Sequence, residues 1–178
     1  MAAVVDAARH LLHTLGMDTS GEALSRTPQR MAEALSEFFS PEPFTLTTFD
    51  NDAGYTGLVL VRRVPVQSIC EHHLLPFVGT ADIGYLPGER LAGLSKLARS
   101  VQYLARRPQV QERLTQATAD WLQERLDARG VGVVLRAEHS CMTLRGVRAN
   151  GAETVTQSFT GLLAEHGPDR LEFLRLCG

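Results

Sequence analysis

The chain has 178 residues, of which 44% are hydrophobic and 21% charged, and its net charge at pH 7 is −2. These values are typical of a folded globular protein and exclude a disordered or fibrous chain. The nearly neutral balance gives no general attraction to nucleic acid or membrane. No apolar run approaches the roughly 20 residues of a transmembrane helix. From the charge and the absence of such a run, we expect a cytoplasmic protein without a membrane or nucleic-acid partner.

The N-terminal part, residues 1–50, is predicted to be a helical segment ahead of one compact domain at 51–178. Apolar residues recur at helical spacing over residues 4–15, and the charged residues and histidines between them argue against a signal peptide. A second helix is predicted to begin with Thr27 as its N-cap and Pro28 at its first helical position.

The rest of the chain shows two strand patterns, two helices with apolar stripes, two further strand patterns and a short terminal helix from about Pro168. The first six of these elements are predicted at residues 57–67, 77–86, 94–105, 110–126, 131–139 and 153–161. Their order favours an α+β fold, with an antiparallel four-stranded sheet and two helices on one face. Such a sheet leaves its edges and one face without partners, so we expect an oligomer.

Potential metal ligands are concentrated in two segments. The first contains Cys70, His72 and His73, and the second contains His139 and Cys141 at the end of a predicted strand. Thiolates and imidazoles suit zinc better than magnesium or calcium. Two cysteines with two histidines would form a closed structural site, whereas two cysteines with one histidine would leave a position open for water. The spacing alone leaves both forms possible, beside the alternative of free core cysteines and surface histidines.

A cluster of cationic and hydroxyl side chains begins the first of the two central helices. Lys96 and Arg99 are three residues apart, on one face near a helix N-terminus that also attracts anions. Ser95 could cap that end or bind a ligand hydroxyl, and Arg145 and Arg30 could extend the patch if folding or assembly brings them near. Taken alone, such a pattern is most often a solvated helix face.

Glu112 lies in the first turn of the second central helix. A carboxylate there most often complements the helix dipole. It could instead accept two hydrogen bonds from the edge of a guanine base.

These segments together resemble the GTP cyclohydrolase I family. The matching strings are RTPQR, CEHHLLPFVG, GLSKLARSVQYLARRPQVQERLT, HSCMTLRG and ETVTQSFTG. The likeness extends from about residue 20 to 176, and ordered motifs of this length are far more specific than a pair of metal ligands.

The resemblance implies a division of labour among the cysteines and histidines. Cys70, His73 and Cys141 would hold zinc, which leaves His72 and His139 free. His139 would donate a proton to N7 of the purine, and His72 would lie near the ribose.

The resemblance also implies the contacts of the substrate, GTP. Glu112, helped by Gln111, would hold the guanine, and Ser95 would contact the ribose. Arg30 would come from a neighbouring subunit. The triphosphate would be clamped by Lys96, Arg99, Arg145 and Arg30.

The family fold is the tunnelling fold, in which sheets join edge to edge into a pentameric barrel and two rings form a homodecamer with sites between subunits. The implied reaction opens the purine ring hydrolytically, releases formate and rearranges the ribose to give 7,8-dihydroneopterin triphosphate, the first step of folate and tetrahydropterin biosynthesis. Arg63 departs from the acidic residue that the family often has there. Two alternatives are a non-catalytic relative with structural zinc and a tunnelling-fold nitrile reductase with a cysteine nucleophile.

Overall fold

The structure is a computed structural model that describes residues 1–178. It contains two compact units, Met1–Ser40 and Pro41–Gly178. No helix in either unit combines the length and the apolar character that crossing a membrane requires.

The first unit consists of helices α1 (Ala2–Thr14) and α2 (Thr27–Phe38), which pack against each other. The prediction that Thr27 is the N-cap was wrong by one residue. Arg26 occupies the N-cap with nearly helical backbone angles, and no side chain caps the helix. The reason is the preceding turn, in which the Thr27 N–H already bonds the carbonyl of Leu24, so the chain enters the helix one residue early.

The second unit contains seven strands and four helices, together with one short 3-10 turn. In chain order they are β1 (Thr48–Asp50), β2 (Val59–Cys70), β3 (Pro76–Leu86), β4 (Arg90–Ala92), α3 (Leu94–Ala105), β5 (Pro108–Gln109), α4 (Gln111–Leu126), β6 (Gly130–His139), α5 (Ser140–Thr143), β7 (Thr154–Gly161), the turn Leu162–Ala164 and α6 (Pro168–Cys177).

The main sheet has the strand order β5-β2-β3-β6-β7. Its four long strands are antiparallel, which confirms an α+β fold with a largely antiparallel sheet. The prediction of only four strands was incomplete. Strand β5 pairs in parallel with Ile69 and Cys70 at the end of β2, and β1 and β4 form a second, two-stranded sheet. Strands of two or three residues are too short to show the alternation from which strands are predicted.

One face of the main sheet is covered by α3 and α4. The apolar stripes of the two helices bury Leu97, Val101, Leu114 and Leu122 completely, because these residues recur at helical spacing. This core places the N-terminus of α4 beside the end of the sheet where β2 and β6 finish.

The opposite face of the sheet is partly covered by α6. The terminal helix itself was predicted from about Pro168, but its packing on the sheet was not. Phe173 packs where Gly84 and Gly132 lie side by side, and a side chain at Gly132 would approach the Phe173 ring to 3.0 Å. Cys177 is also buried on this face, and burial raises the pKa of its thiol to about 11. It lies apart from the other two cysteines.

A buried carboxylate fixes a bulge in β2. Asp82 is 3% exposed, and one of its oxygens accepts the backbone N–H of Arg63 at 2.8 Å. Its other oxygen accepts a hydrogen bond from Arg136 at 2.8 Å, and Arg136 also donates to the carbonyl of Cys177. Arg63 lies in the bulge with φ of 55°, a left-handed conformation that costs free energy for a residue with a side chain.

Replacing Asp82 with alanine is expected to lower the free energy of unfolding by about 2–4 kcal/mol, because it leaves the Arg136 guanidinium without its carboxylate partner and a bulge N–H without its acceptor. Urea titration would measure the change. Asp50→Ala is the matched control, since it removes an exposed ion pair with Arg90 and should cost less than about 1 kcal/mol. Equal losses in the two variants would contradict the role given to Asp82.

Candidate active site

The first half of the site is a tight turn that follows β2. Cys70 is the last residue of the strand, and its side chain is buried. The N–H of Leu74 bonds the Cys70 carbonyl at 2.9 Å, and the Cys70 N–H bonds the carbonyl of Leu75 at 2.9 Å. Leu74 takes a left-handed conformation with φ of 52° to close the turn. His72 and His73 are therefore held next to the thiol.

The second half of the site comes from the end of β6. Strand β3 begins directly after the turn, and its residue Phe77 pairs with His139, the last residue of β6. The chain then enters the one-turn helix α5, and the Ser140 hydroxyl bonds the carbonyl of Pro76. This antiparallel pairing carries Cys141 to the turn that holds Cys70.

Three potential metal ligands meet at this point. The ligand atoms of Cys70, His73 and Cys141 all lie within 4.8 Å of one another. The Cys70 Sγ is 3.7 Å from Nδ1 of His73. His72 also approaches Cys70, with its Nδ1 at 3.9 Å from the Sγ, but it does not belong to the group of three. The resemblance predicted this same group of three.

The thiols of the group are electrostatically linked. Burial raises the pKa of Cys141, and the nearby thiol of Cys70 raises it further. The positive charge of Arg145 acts in the opposite direction. A bound cation would stabilise the thiolate form, so metal binding would release protons.

His139 is held by two neighbours beside the three ligands. Its ring stacks on Phe77 with the centroids 4.6 Å apart and the planes 13° apart. Its Nε2 lies 2.8 Å from Oε1 of Gln111, the first residue of α4. Burial lowers the pKa of His139, and the charge of Glu112 opposes this shift. Gln111 thus contacts the imidazole directly, whereas Glu112 acts on it through its charge.

An ion pair that sequence analysis missed joins the turn to α4. Arg113 makes two hydrogen bonds to the carboxylate of Glu71, at 2.7 and 3.0 Å. The pair lowers the pKa of Glu71 through the hydrogen bonds from Arg113. The backbone N–H of Glu71 also bonds the carbonyl of Gln109 in β5. No signal in the sequence links two charged residues 42 positions apart, so only the fold reveals this contact.

The cationic residues of α3 lie on its first two turns. Ser95 and Arg99 are exposed and Lys96 is half-buried. Arg99 lines a cleft of about 400 Å³ between α3, the edge of β2 and the segment before β1. The cleft residues are Glu42, Pro43, Phe44, Pro65, Gln67, Arg99, Gln102, Tyr103 and Arg106. Arg30 is exposed on α2 in the first unit. No hydrogen bond or ion pair joins Ser95, Lys96 or Arg99 to the three potential metal ligands. The substrate roles of these four residues therefore stay predictions.

The sequence is similar over nearly its whole length to one family of proteins. The family model described as GTP cyclohydrolase I matches residues 4–178. A GTP cyclohydrolase 1 of Aquifex aeolicus is 44% identical over 97% of this chain and 94% of its own length. One from Gloeobacter violaceus is 48% identical over 97% and 83%, respectively. Among solved structures, an apo archaeosine synthase QueF-Like aligns over 60% of this chain and 96% of its own, with 14% identity and a TM-score of 0.48.

Proposed function

Because the chain belongs to the GTP cyclohydrolase I family and is a hydrolase of that family, we propose that it converts GTP to formate and 7,8-dihydroneopterin triphosphate in a zinc-dependent reaction. The observation that carries the proposal is the convergence of Cys70, His73 and Cys141 beside the stacked imidazole of His139. A purely structural metal site would not need an imidazole held in this way.

The donor set fits zinc in its catalytic form. Two cysteine sulfurs and one imidazole are ligands that zinc prefers, and three protein ligands leave one of four tetrahedral positions open. Neither His72 nor His139 belongs to the group of three, which argues against a closed site with four protein ligands. When bound, zinc would supply the Lewis acidity that makes a water molecule nucleophilic at neutral pH.

The remaining side chains bind the substrate and move protons. His139 donates a proton to N7 of the purine, which makes C8 more electrophilic toward water. Glu112 accepts hydrogen bonds from the guanine edge with a carboxylate that no protein group occupies. His72, on the exposed turn, lies near the ribose.

Anchoring of the triphosphate is assigned to four cationic side chains that are exposed or half-buried. The triphosphate loses no bond in this reaction, so its contacts provide binding free energy and orientation rather than chemistry. Ser95 contacts the ribose. Charge-assisted hydrogen bonds to the phosphates come from Lys96, Arg99, Arg145 and Arg30.

Two open sheet edges support assembly of the subunits into the barrel of the tunnelling fold. Strand β5 covers only Ile69 and Cys70 of β2, so the edge over residues 59–68 has no strand partner. Strand β7 is the other terminal strand of the sheet. Edge strands of this length are normally paired or protected. The homodecamer, with Arg30 reaching a neighbouring site, and the cytoplasmic location stay predictions.

Incubation of the zinc-loaded protein with GTP tests the proposal. We expect formate and a pterin that becomes fluorescent after oxidation, in equal amounts. ATP is the control substrate, because adenine lacks the pair of donors that Glu112 would recognise. The absence of pterin from zinc-replete protein would contradict the proposed function.

A further inference from the structure

Gln111 has an amide whose orientation is determined by its surroundings. The side chain is 1% exposed, and its Nε2 donates to the carbonyls of Leu135 at 3.1 Å and Thr154 at 2.9 Å. The Thr156 hydroxyl is a third acceptor at 3.2 Å. Rotating the amide by 180° would place Oε1 against two carbonyl oxygens, which have no proton to donate and would repel it. Oε1 must therefore face His139.

The hydrogen bonds of two threonine hydroxyls are directed in a way that agrees with this amide orientation. The Thr115 hydroxyl donates to the backbone carbonyl of Gln111 at 2.8 Å, one helical turn earlier. The 2.6 Å contact between the hydroxyls of Thr115 and Thr156 must then use the proton of Thr156. The Thr156 oxygen is thus free to accept from Gln111, as the amide orientation requires.

This orientation determines which nitrogen of His139 carries a proton. Because Oε1 of Gln111 has no proton, the 2.8 Å contact requires an N–H on Nε2. The neutral ring is therefore the Nε2–H tautomer. Nδ1 has no hydrogen-bond partner in the chain, and stacking on Phe77 restrains the plane of the ring. Nδ1 is the nitrogen left for a ligand.

We propose that Gln111 is a positioning residue that keeps the proton on Nε2 of His139, so that the proton given to the purine leaves from Nδ1. This inference deepens the proposed function and rests on it. It also assigns the Gln111 side chain to His139 instead of the guanine contact expected from the family resemblance, since its amide groups are all bonded within the protein.

The proton transfer balances without another reactant. In the imidazolium form both nitrogens carry protons, and Gln111 accepts the one on Nε2. The Nδ1–H bond breaks, its electron pair stays on the ring, and the proton bonds N7 of the purine. The product is neutral His139 in the Nε2–H form. This is the tautomer that Gln111 stabilises, so the hydrogen bond to Gln111 favours proton donation from Nδ1.

The tautomer can be read from the nitrogen chemical shifts of ¹⁵N-labelled histidine, by solid-state NMR of zinc-loaded protein without GTP. At about pH 8.5 a histidine of ordinary pKa is neutral. The His139 signals are identified by their loss in His139→Ala. We expect a protonated Nε2 and an unprotonated Nδ1. The reverse pattern in the wild-type protein would overturn the proposal, whatever the activity toward GTP.

Kinetics of Gln111→Met provide the second measurement. The methionine fills a similar volume without an acceptor, so we expect mixed tautomers, a kcat about 10- to 100-fold lower and a KM for GTP changed less than about threefold. Thr156→Val is the matched control, because it removes a hydroxyl from the network but keeps the bond to His139, and its kcat should change less than about threefold.

The two measurements separate the possible failures. Unchanged tautomer and kcat in Gln111→Met, or equal losses in both variants, would overturn the positioning role. If Gln111→Met does not fold, the wild-type tautomer decides. Wild-type protein that makes no pterin would instead contradict the proposed function, while the tautomer could still be measured.

Discussion

His139→Ala is expected to lower the rate of purine ring opening by about 10²- to 10⁴-fold, the usual contribution of a general acid, while the zinc content stays at one per chain. The imidazole adjoins the three ligands but is held by Gln111 and Phe77, so its loss should not release the metal. Formate release would measure ring opening, and elemental analysis would measure zinc.

The variant leaves the Gln111 oxygen buried without a donor, which costs about 1–3 kcal/mol of stability. Its unfolding should therefore be measured beside its activity. His166→Ala is the control, because that histidine is exposed and lies far from the site in sequence, and both its activity and its stability should match the wild type. Loss of zinc in His139→Ala would show that a ligand had been mistaken for the proton donor.

Cys141→Ala is expected to weaken zinc binding by more than about 100-fold and to reduce pterin formation to the level of chelator-treated protein. Even residues that only support a metal ligand change affinity by about 10- to 100-fold, so a direct ligand should be worth more. Zinc affinity would be measured by competition with a chromogenic chelator, and activity by oxidised pterin fluorescence.

Cys177→Ala is the matched control for this variant. It removes a thiol of the same type at the end of α6, which is buried on the opposite face of the sheet. We expect its zinc affinity and activity to match those of the wild type, apart from a small loss of stability from the cavity. Zinc binding that is normal in Cys141→Ala would contradict the assigned ligand group.

The expected loss of zinc binding in Cys141→Ala assumes that the other ligands stay in place, which depends on how the turn after β2 is supported. Glu71 and Arg113 connect the turn to α4, and β5 pairs with the residue that provides the first thiol. The ligands are thus held by a strand end, a bonded turn and the start of a helix. A site built on such elements is organised before the metal binds.

The long elements of the fold could be predicted because their signals are local. The apolar runs of β3 and β6, which are largely buried, and the apolar stripes of α3 and α4 follow from which side chains face the core, and these elements were placed within one or two residues. The short strands were missed, and so was the cover that α6 gives to the second face, because both depend on contacts with distant residues.

The candidate site divides in the same way. The types of ligand and their spacing in CEHH indicated a metal, but spacing alone left open whether three or four side chains bind it. The family resemblance selected Cys70, His73 and Cys141, and the structure brings these three together. No contact within the chain tests the substrate roles proposed for Lys96 and Arg99, so these stay predictions.

By itself, the sequence determined the α+β class, the long strands and helices and the chemical groups available for catalysis. Periodicity and side-chain chemistry depend only on residues that are close together in the sequence. Only the tertiary structure decided how those groups are used. The amide of Gln111 meets acceptors 24 and 43 positions away, and they determine which of its atoms faces His139. A hydrogen bond depends on distance and direction in space, and sequence separation carries neither.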